Sequence, residues 1–248
     1  KYLLDGKTYK VIKLLPVGGE FRWCNTDPDK IYMIQSSGAF QSYNISTNTF
    51  TTIRQFSGYD QILMGPWEGN LSNDDGYVVL SARKGSDFIV IVFNIKTNTI
   101  ESTKVFPGKW EAGIDWASIS SSGKYVVMNM AYCNPSCAGQ VDSYDRKMNF
   151  ITQIAPQGEH GDMATDLDGN DYFVYVGGGA NYYITKTRVD TGAKTSVVSI
   201  QVGGHISCRN ILRPGWCYGT ISVYREAIGF KLDGSGTVER FAHHRSTE

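Results

Sequence analysis

Apolar residues in this chain come in short bursts separated by turn-forming polar ones. KIYMI from Lys30, GYVVL from Gly76, KYVVM from Lys124 and DYFVYV from Asp171 are rich in β-branched and aromatic side chains, with Asp, Asn, Ser or Gly nearby. Such runs bounded by turn chemistry predict strands, and no stretch sustains the helical 3.6-residue periodicity. The longest apolar run, FIVIVF at residues 88–93, has the length of one buried strand. It falls far short of the ~20 apolar residues that a membrane-spanning helix needs.

The turns between these strands recur at a near-constant interval. Gly76 in NDDG, Gly123 in SSSGK, Gly169 in DLDGN and Gly215 in LRPG lie 47, 46 and 46 residues apart, and Asp29 in DPDK precedes Gly76 by another 47. A second set lies between them: STNT from Ser46, KTNT from Lys96, DRKMN from Asp145, DTGA from Asp190 and DGSG from Asp233. Each leads into a segment suited to an exposed outer strand. A repeat of ~40–50 residues made of short strands is the length of one four-stranded propeller blade. The expected fold is therefore all-β, a single β-propeller domain of four-stranded antiparallel blades. Five repeats are visible, at 21–56, 69–106, 114–157, 160–202 and 204–242. Residues 8–15 (TYKVIKLL) read as one more strand. That strand either closes a five-bladed ring as an extra outer strand or belongs to a six- or seven-bladed ring from which this chain is truncated.

In a propeller, the link from one blade's outer strand to the next blade's inner strand shares a face with the loop between second and third strands. On this repeat the shared rim collects Glu20, Phe21 and Arg22; Trp67, Glu68 and Asn70; Glu111, Asp115 and Trp116; Glu159, His160 and Asp162; and His205, Ser207 and Arg209. His243 and His244 follow the fifth outer strand. Imidazoles exchange protons near neutral pH, carboxylates orient them, and guanidinium groups pair with carboxylate or sulfate. Together they suit acid/base chemistry on a polar polymer. His160, His205 and Arg209 are the candidates for catalysis, and Arg22, Trp67, Glu68, Trp116 and Asp162 for substrate contact. Competing roles stand beside these: an inter-blade hydrogen bond for either histidine, and core packing for Trp67, Trp110 and Trp116. A divalent metal would draw on His243 and His244, with His160 and His205 as further donors, although no sequence spacing marks the set. Ser207 lacks a nucleophile elbow, GGGA at Gly177 falls between strands rather than before a helix, and DLDGN lacks the acidic twelfth position of an EF-hand.

Charge removes one class of partner. With 24 basic and 24 acidic residues and a pI of 7.1, the chain offers no field to attract nucleic acid. Among five cysteines, Cys133 and Cys137 bracket CNPSC, while Cys208 and Cys217 sit symmetrically about a turn and would face each other across a hairpin. The alternatives for these pairs are disulfides or buried thiols. Zinc lacks a second correctly spaced ligand pair.

The succession RWCNTDPDKIYMI, SNDDGYVVL, DWASISSSGKYVV, EHGDMATDLDGNDYFV, GGHISCRNILRPGWCY and KLDGSGTVERFAHHRS resembles a family of secreted, mostly bacterial WD-like propellers. GGHISCRN and RPGW carry most of its specificity. The resemblance implies an extracellular location and a chain that continues past FAHHRSTE into a further blade. More distantly the chain is similar to oligogalacturonate lyase and ulvan lyase propellers, which cleave uronate-containing polysaccharides by β-elimination and in some cases hold a metal among histidines. That likeness implies His160 or His205 as base and Arg209 as the group that neutralises the uronate carboxylate. The proton-returning tyrosine of those enzymes matches no position here. A non-catalytic glycan- or protein-binding propeller, a structural module of an extracellular assembly, and self-association are the competing expectations.

Overall fold

Twenty-two strands account for the regular structure of the computed structural model, which describes residues 1–5, 8, 10–18, 20–64, 71–108, 116–130, 140–155, 161–177, 183–199, 206–208, 213–221 and 226–241. No helix occurs among them, so none is long and apolar enough to cross a membrane. Five four-stranded antiparallel sheets form the blades of a five-bladed β-propeller. The first is β3 (Phe21–Trp23), β4 (Lys30–Ile34), β5 (Ala39–Asn44) and β6 (Thr49–Gln55). The second is β7 (Gln61–Leu63), β8 (Tyr77–Lys84), β9 (Asp87–Asn94) and β10 (Thr99–Phe106). The third is β11 (Trp116–Ile119), β12 (Tyr125–Met130), β13 (Gln140–Asp145) and β14 (Phe150–Ala155). The fourth is β15 (Asp162–Thr165), β16 (Asp171–Gly177), β17 (Tyr183–Arg188) and β18 (Lys194–Ser199). The fifth is β19 (Ile206–Ser207), β20 (Trp216–Ile221), β21 (Glu226–Lys231) and β22 (Val238–Phe241).

Strand periodicity explains why these sheets stack. Along β8, Val78, Leu80 and Ala82 join a core shared with the first sheet, while Val79 joins one shared with the third. Along β9, Ile89, Ile91 and Phe93 face the first sheet, and Phe88, Val90 and Val92 the third. A strand apolar at every position is buried on both faces, which is the condition of a middle blade. Each such fully buried Val, Leu, Ile or Phe contributes roughly 1.5–3 kcal/mol.

The structure departs from the repeat at three places. Residues 8–15 do not add an outer strand to the fifth sheet: β2 (Val11–Leu14) pairs with β1 (Tyr2–Leu4) in a separate two-stranded sheet, while β22 is the outer strand of the fifth. That hairpin packs Leu3, Leu15 and Val17 on the first sheet's Ile31, Met33 and Tyr43. The second departure concerns the repeating turn. Asp75, not Gly76, takes the left-handed conformation, at φ 53°, matching Gly123 at 75°, Gly169 at 79° and Gly215 at 76°. Asp is among the few L-residues that tolerate that region. Gly76 sits beside it, where a Cβ would lie 2.9 Å from the Asp74 carboxylate. The second sheet also takes its inner strand from β7, ahead of residue 69 where the repeat reading begins it, with a further bridge from Leu71 to Val78.

Candidate functional site

Antiparallel order puts the turns between first and second strands, and between third and fourth, at one end of every sheet. The blade-to-blade links and the loops between second and third strands lie at the opposite end, which is the rim. Among the described residues the rim carries Glu20 and Arg22 at the first sheet, Trp116 at the third, Asp162 at the fourth and Ser207 at the fifth. His160, His205, Arg209, Trp67, Glu68, Trp110, His243, His244, Cys133 and Cys137 lie outside the described residues.

The placed candidates differ in how far packing has claimed them. Trp116 is only 3% exposed, and its ring lies 5.9 Å from that of Phe173 in the core between the third and fourth sheets. That is the packing role weighed for the tryptophans. Asp162 is buried, with one carboxylate oxygen accepting from the amide of Met163 and the other from the amide of Cys208, both at 2.7 Å. Its carboxyl group thereby joins the inner strands of two blades. Just before it, a Cβ on Gly161 would come within 2.2 Å of the Phe173 ring, so only glycine lets the chain enter β15 so closely.

Glu20 and Arg22 are a charged pair on this rim. Burial pushes the Glu20 carboxyl above the usual carboxylate range, and the Arg22 charge beside it pulls the other way. Its Oε2 is buried without a hydrogen-bond partner, while Arg22 Nη1 donates to the Phe21 carbonyl at 2.9 Å. A carboxyl with a raised pKa beside a guanidinium is an arrangement suited to proton transfer.

Cys208 and Cys217 form a disulfide with a Cα separation of 4.1 Å, set by the register that opposes Ser207 to Tyr218 and Ile206 to Gly219. Cys24 is a buried free thiol 3.1 Å from Asp75 Oδ2, and burial pushes its pKa up. Among the described residues no three His, Cys, Asp or Glu side chains gather to hold a metal ion.

Sequence reading missed the carboxylate latches and the grooves at the opposite end. Asp75 accepts from the Thr26 and Asn25 amides at 2.7 and 2.8 Å, from Thr26 Oγ1 at 2.7 Å and from Asn25 Nδ2 at 3.1 Å, tying the second sheet's turn to the first sheet's. Asp171 repeats this by accepting from the Ser122 amide at 3.0 Å and from its hydroxyl. Both pairs are 49 residues apart, a spacing the repeat made available. Below the fourth and fifth sheets lies a groove of about 570 Å³ lined by Asp168, Tyr172, Lys186, Trp216, Lys231 and Asp233. A smaller one of about 310 Å³ lies below the first and second.

No protein-family description and no curated protein matches the sequence. Solved structures do. An oligogalacturonate lyase in complex with manganese aligns with a TM-score of 0.68 at 15% identity, over 99% of this chain and 71% of that one. An oligogalacturonate lyase from Vibrio parahaemolyticus aligns at 0.62 and 12% identity, over 98% and 71%. TolB from Acinetobacter baumannii aligns at 0.54 and 15%, over 91% of this chain and 54% of its own. At these identities the likeness establishes the propeller fold.

Proposed function

We propose that this protein is a secreted propeller that binds or acts on uronate-containing polysaccharide at its rim. The observation that carries the reading is the likeness, over 99% of the chain, to a protein named oligogalacturonate lyase. The rim chemistry of Glu20 beside Arg22 supports it, and the Cys208–Cys217 disulfide suits an oxidising extracellular compartment.

As a lyase, His160 or His205 takes the proton on the carbon next to the uronate carboxylate. The electron pair left behind forms a carbon–carbon double bond as the glycosidic bond to the neighbouring ring carbon breaks. The departing oxygen then receives a proton. Arg209, with Arg22, neutralises the carboxylate and makes the first proton more acidic. Trp67, Glu68, Trp116 and Asp162 complete the proposed substrate contacts, two of them with the packing duties described above. A divalent ion held by His243 and His244 belongs to the same proposal and would supply further charge neutralisation at the carboxylate.

A panel of uronic polymers tests this, assayed with and without added manganese. Lyase action creates an unsaturated uronate that absorbs in the ultraviolet, and His160→Ala, His205→Ala or Arg209→Ala should lower that rate by ~100-fold or more. Retention of polymer without absorbance selects the non-catalytic glycan-binding reading. Neither retention nor absorbance with any polymer rejects both.

A further inference from the structure

Elimination on a uronate moves two protons, and only one of them has an owner so far. In the proposed lyase reaction His160 or His205 takes the first, and Arg209 with Arg22 neutralises the carboxylate. The departing oxygen needs the second, because an alkoxide is a poor leaving group in water. Its donor has to keep a proton on the rim and be able to turn it toward a ligand.

Other acidic groups near the rim are already committed. Asp162 gives one oxygen to the Met163 amide and the other to the Cys208 amide. Asp142 is buried and accepts from the Gln140 side chain at 2.8 Å. Tyr175 is buried with its ring 5.6 Å from that of Phe173.

Glu20 differs from all three. It stands just ahead of β3, at the entry to the first sheet's inner strand, as His160 and His205 stand in sequence ahead of β15 and β19. The residue is half-buried, and its Oε2 is covered with no hydrogen-bond partner among the described residues. A buried oxygen left unpaired costs stability, and a catalytic role is one of the few reasons a fold keeps one. The last torsion of a glutamate is broad and two-fold, so either oxygen can turn toward the rim. Phe21 packs toward the β1–β2 hairpin, and strand alternation sends Arg22 to the other face, where its charge reaches Glu20. On a uronate, the carbon that bears the carboxylate is bonded to the carbon that loses its oxygen. A guanidinium holding the carboxylate therefore brings the departing oxygen next to whatever acid stands beside it, and beside Arg22 that acid is Glu20.

We propose that Glu20 is the general acid of the elimination, donating its carboxyl proton to the departing oxygen. The role rests on the lyase reading of the rim. As the carbon–oxygen bond breaks, its electron pair takes up that proton, the sugar leaves as a neutral alcohol, and Glu20 is left as a carboxylate. Arg22 stabilises the charge that burial opposes, and water returns the proton before the next turnover.

Two substrates test the assignment: a uronic polymer, and a uronate with a para-nitrophenyl group on the departing oxygen, whose phenolate leaves without a proton. Glu20→Gln is expected to lower kcat on the polymer ~100-fold with little change in KM, and to leave the activated uronate near its wild-type rate. The alkaline fall in polymer kcat, where Glu20 loses its proton, should vanish in Glu20→Gln and persist in Glu20→Asp. Equal loss on both substrates makes Glu20 a structural residue and overturns the proposal. An unchanged polymer rate overturns it too, and either result leaves the lyase reading standing. A wild-type protein that cleaves neither substrate removes that reading and this assignment with it.

Discussion

The junction between the first and second sheets and that between the fourth and fifth are built from one repeat, yet they place their carboxylate clasps at opposite ends. In the former, Phe40 and Phe56 meet Phe93 edge-on at 5.5 and 5.3 Å, Arg54 covers Phe56 and Phe93, and Asp75 clasps the turns. In the latter, mostly aliphatic residues with Tyr172, Phe230 and the disulfide fill the core, Asp162 clasps the inner strands at the rim, and Lys186 donates to the Leu232 carbonyl at 2.7 Å. Outer strand β18 has no cation beyond Lys194 to lie where Arg54 and Lys104 lie. The turn end of this junction holds the larger of the two grooves, about 570 Å³ against about 310 Å³. The lesson is that a propeller joint tolerates a change of fastener, provided some carboxylate satisfies the buried amides of its neighbour.

Removing a fastener should therefore cost most where it satisfies most. Asp75→Ala strands the Asn25 and Thr26 amides and puts alanine in a left-handed conformation, at an expected cost of ~3–5 kcal/mol in urea unfolding. Asp75→Gly keeps the backbone at ease and loses only the carboxylate, so it should recover part of that cost. Asp162→Ala strands the Cys208 amide of the neighbouring blade and the Met163 amide beside it, and is expected to cost ~1–3 kcal/mol. Equal costs at Asp75 and Asp162 would mean that the two junctions are not fastened as differently as their contacts indicate.

The disulfide sharpens the same contrast because it stiffens only the fifth sheet. Cys208 and Cys217 are 9 residues apart, and a loop of that size is worth roughly 2.5 kcal/mol in the chain-entropy account. Reduction, or the Cys208→Ser/Cys217→Ser pair, should lower stability by that amount. Exchange should quicken in β19–β22 before it does in β7–β10. Uniform quickening would show that the blades open as one unit rather than junction by junction.

Much of this architecture was legible because it is periodic. The interval between turns predicted five stacked sheets, and the symmetric placing of Cys208 and Cys217 anticipated their pairing. Asp75 was not legible: the glycine beside it drew the alignment, and backbone conformation rather than residue type decides which of two neighbours bends the chain. Nor could residues 8–15 reveal that their partner is Tyr2–Leu4, since strand pairing over such a short separation leaves only a faint pattern in YLL. Trp116 and Asp162 were placed on the rim by the repeat. What periodicity leaves unstated is that an inner-strand side chain also meets the next blade, and there packing and buried amides compete with any ligand for it.

The smallest expected effect concerns the groove of the first junction. Asp74 is held at about 2: partial burial opposes ionisation, but hydrogen bonds from Lys96, Ser72 and the Gly76 amide outweigh it. Its salt bridge to Lys96, at 2.7 Å, is more than half exposed on both sides, so water and salt screen it. A carboxylate whose folded pKa is depressed contributes stability that is complete above its unfolded value near 3.8 and is lost as pH falls toward 2. Wild-type protein should accordingly lose up to ~1 kcal/mol more than Lys96→Met between those two pH values, read from urea midpoints at low ionic strength. Adding 1 M salt should shrink that gap, because the Debye length falls to about 3 Å. An acid slope identical in the two proteins would leave the hydrogen bonds from Ser72 and Gly76 as the whole reason Asp74 stays ionised.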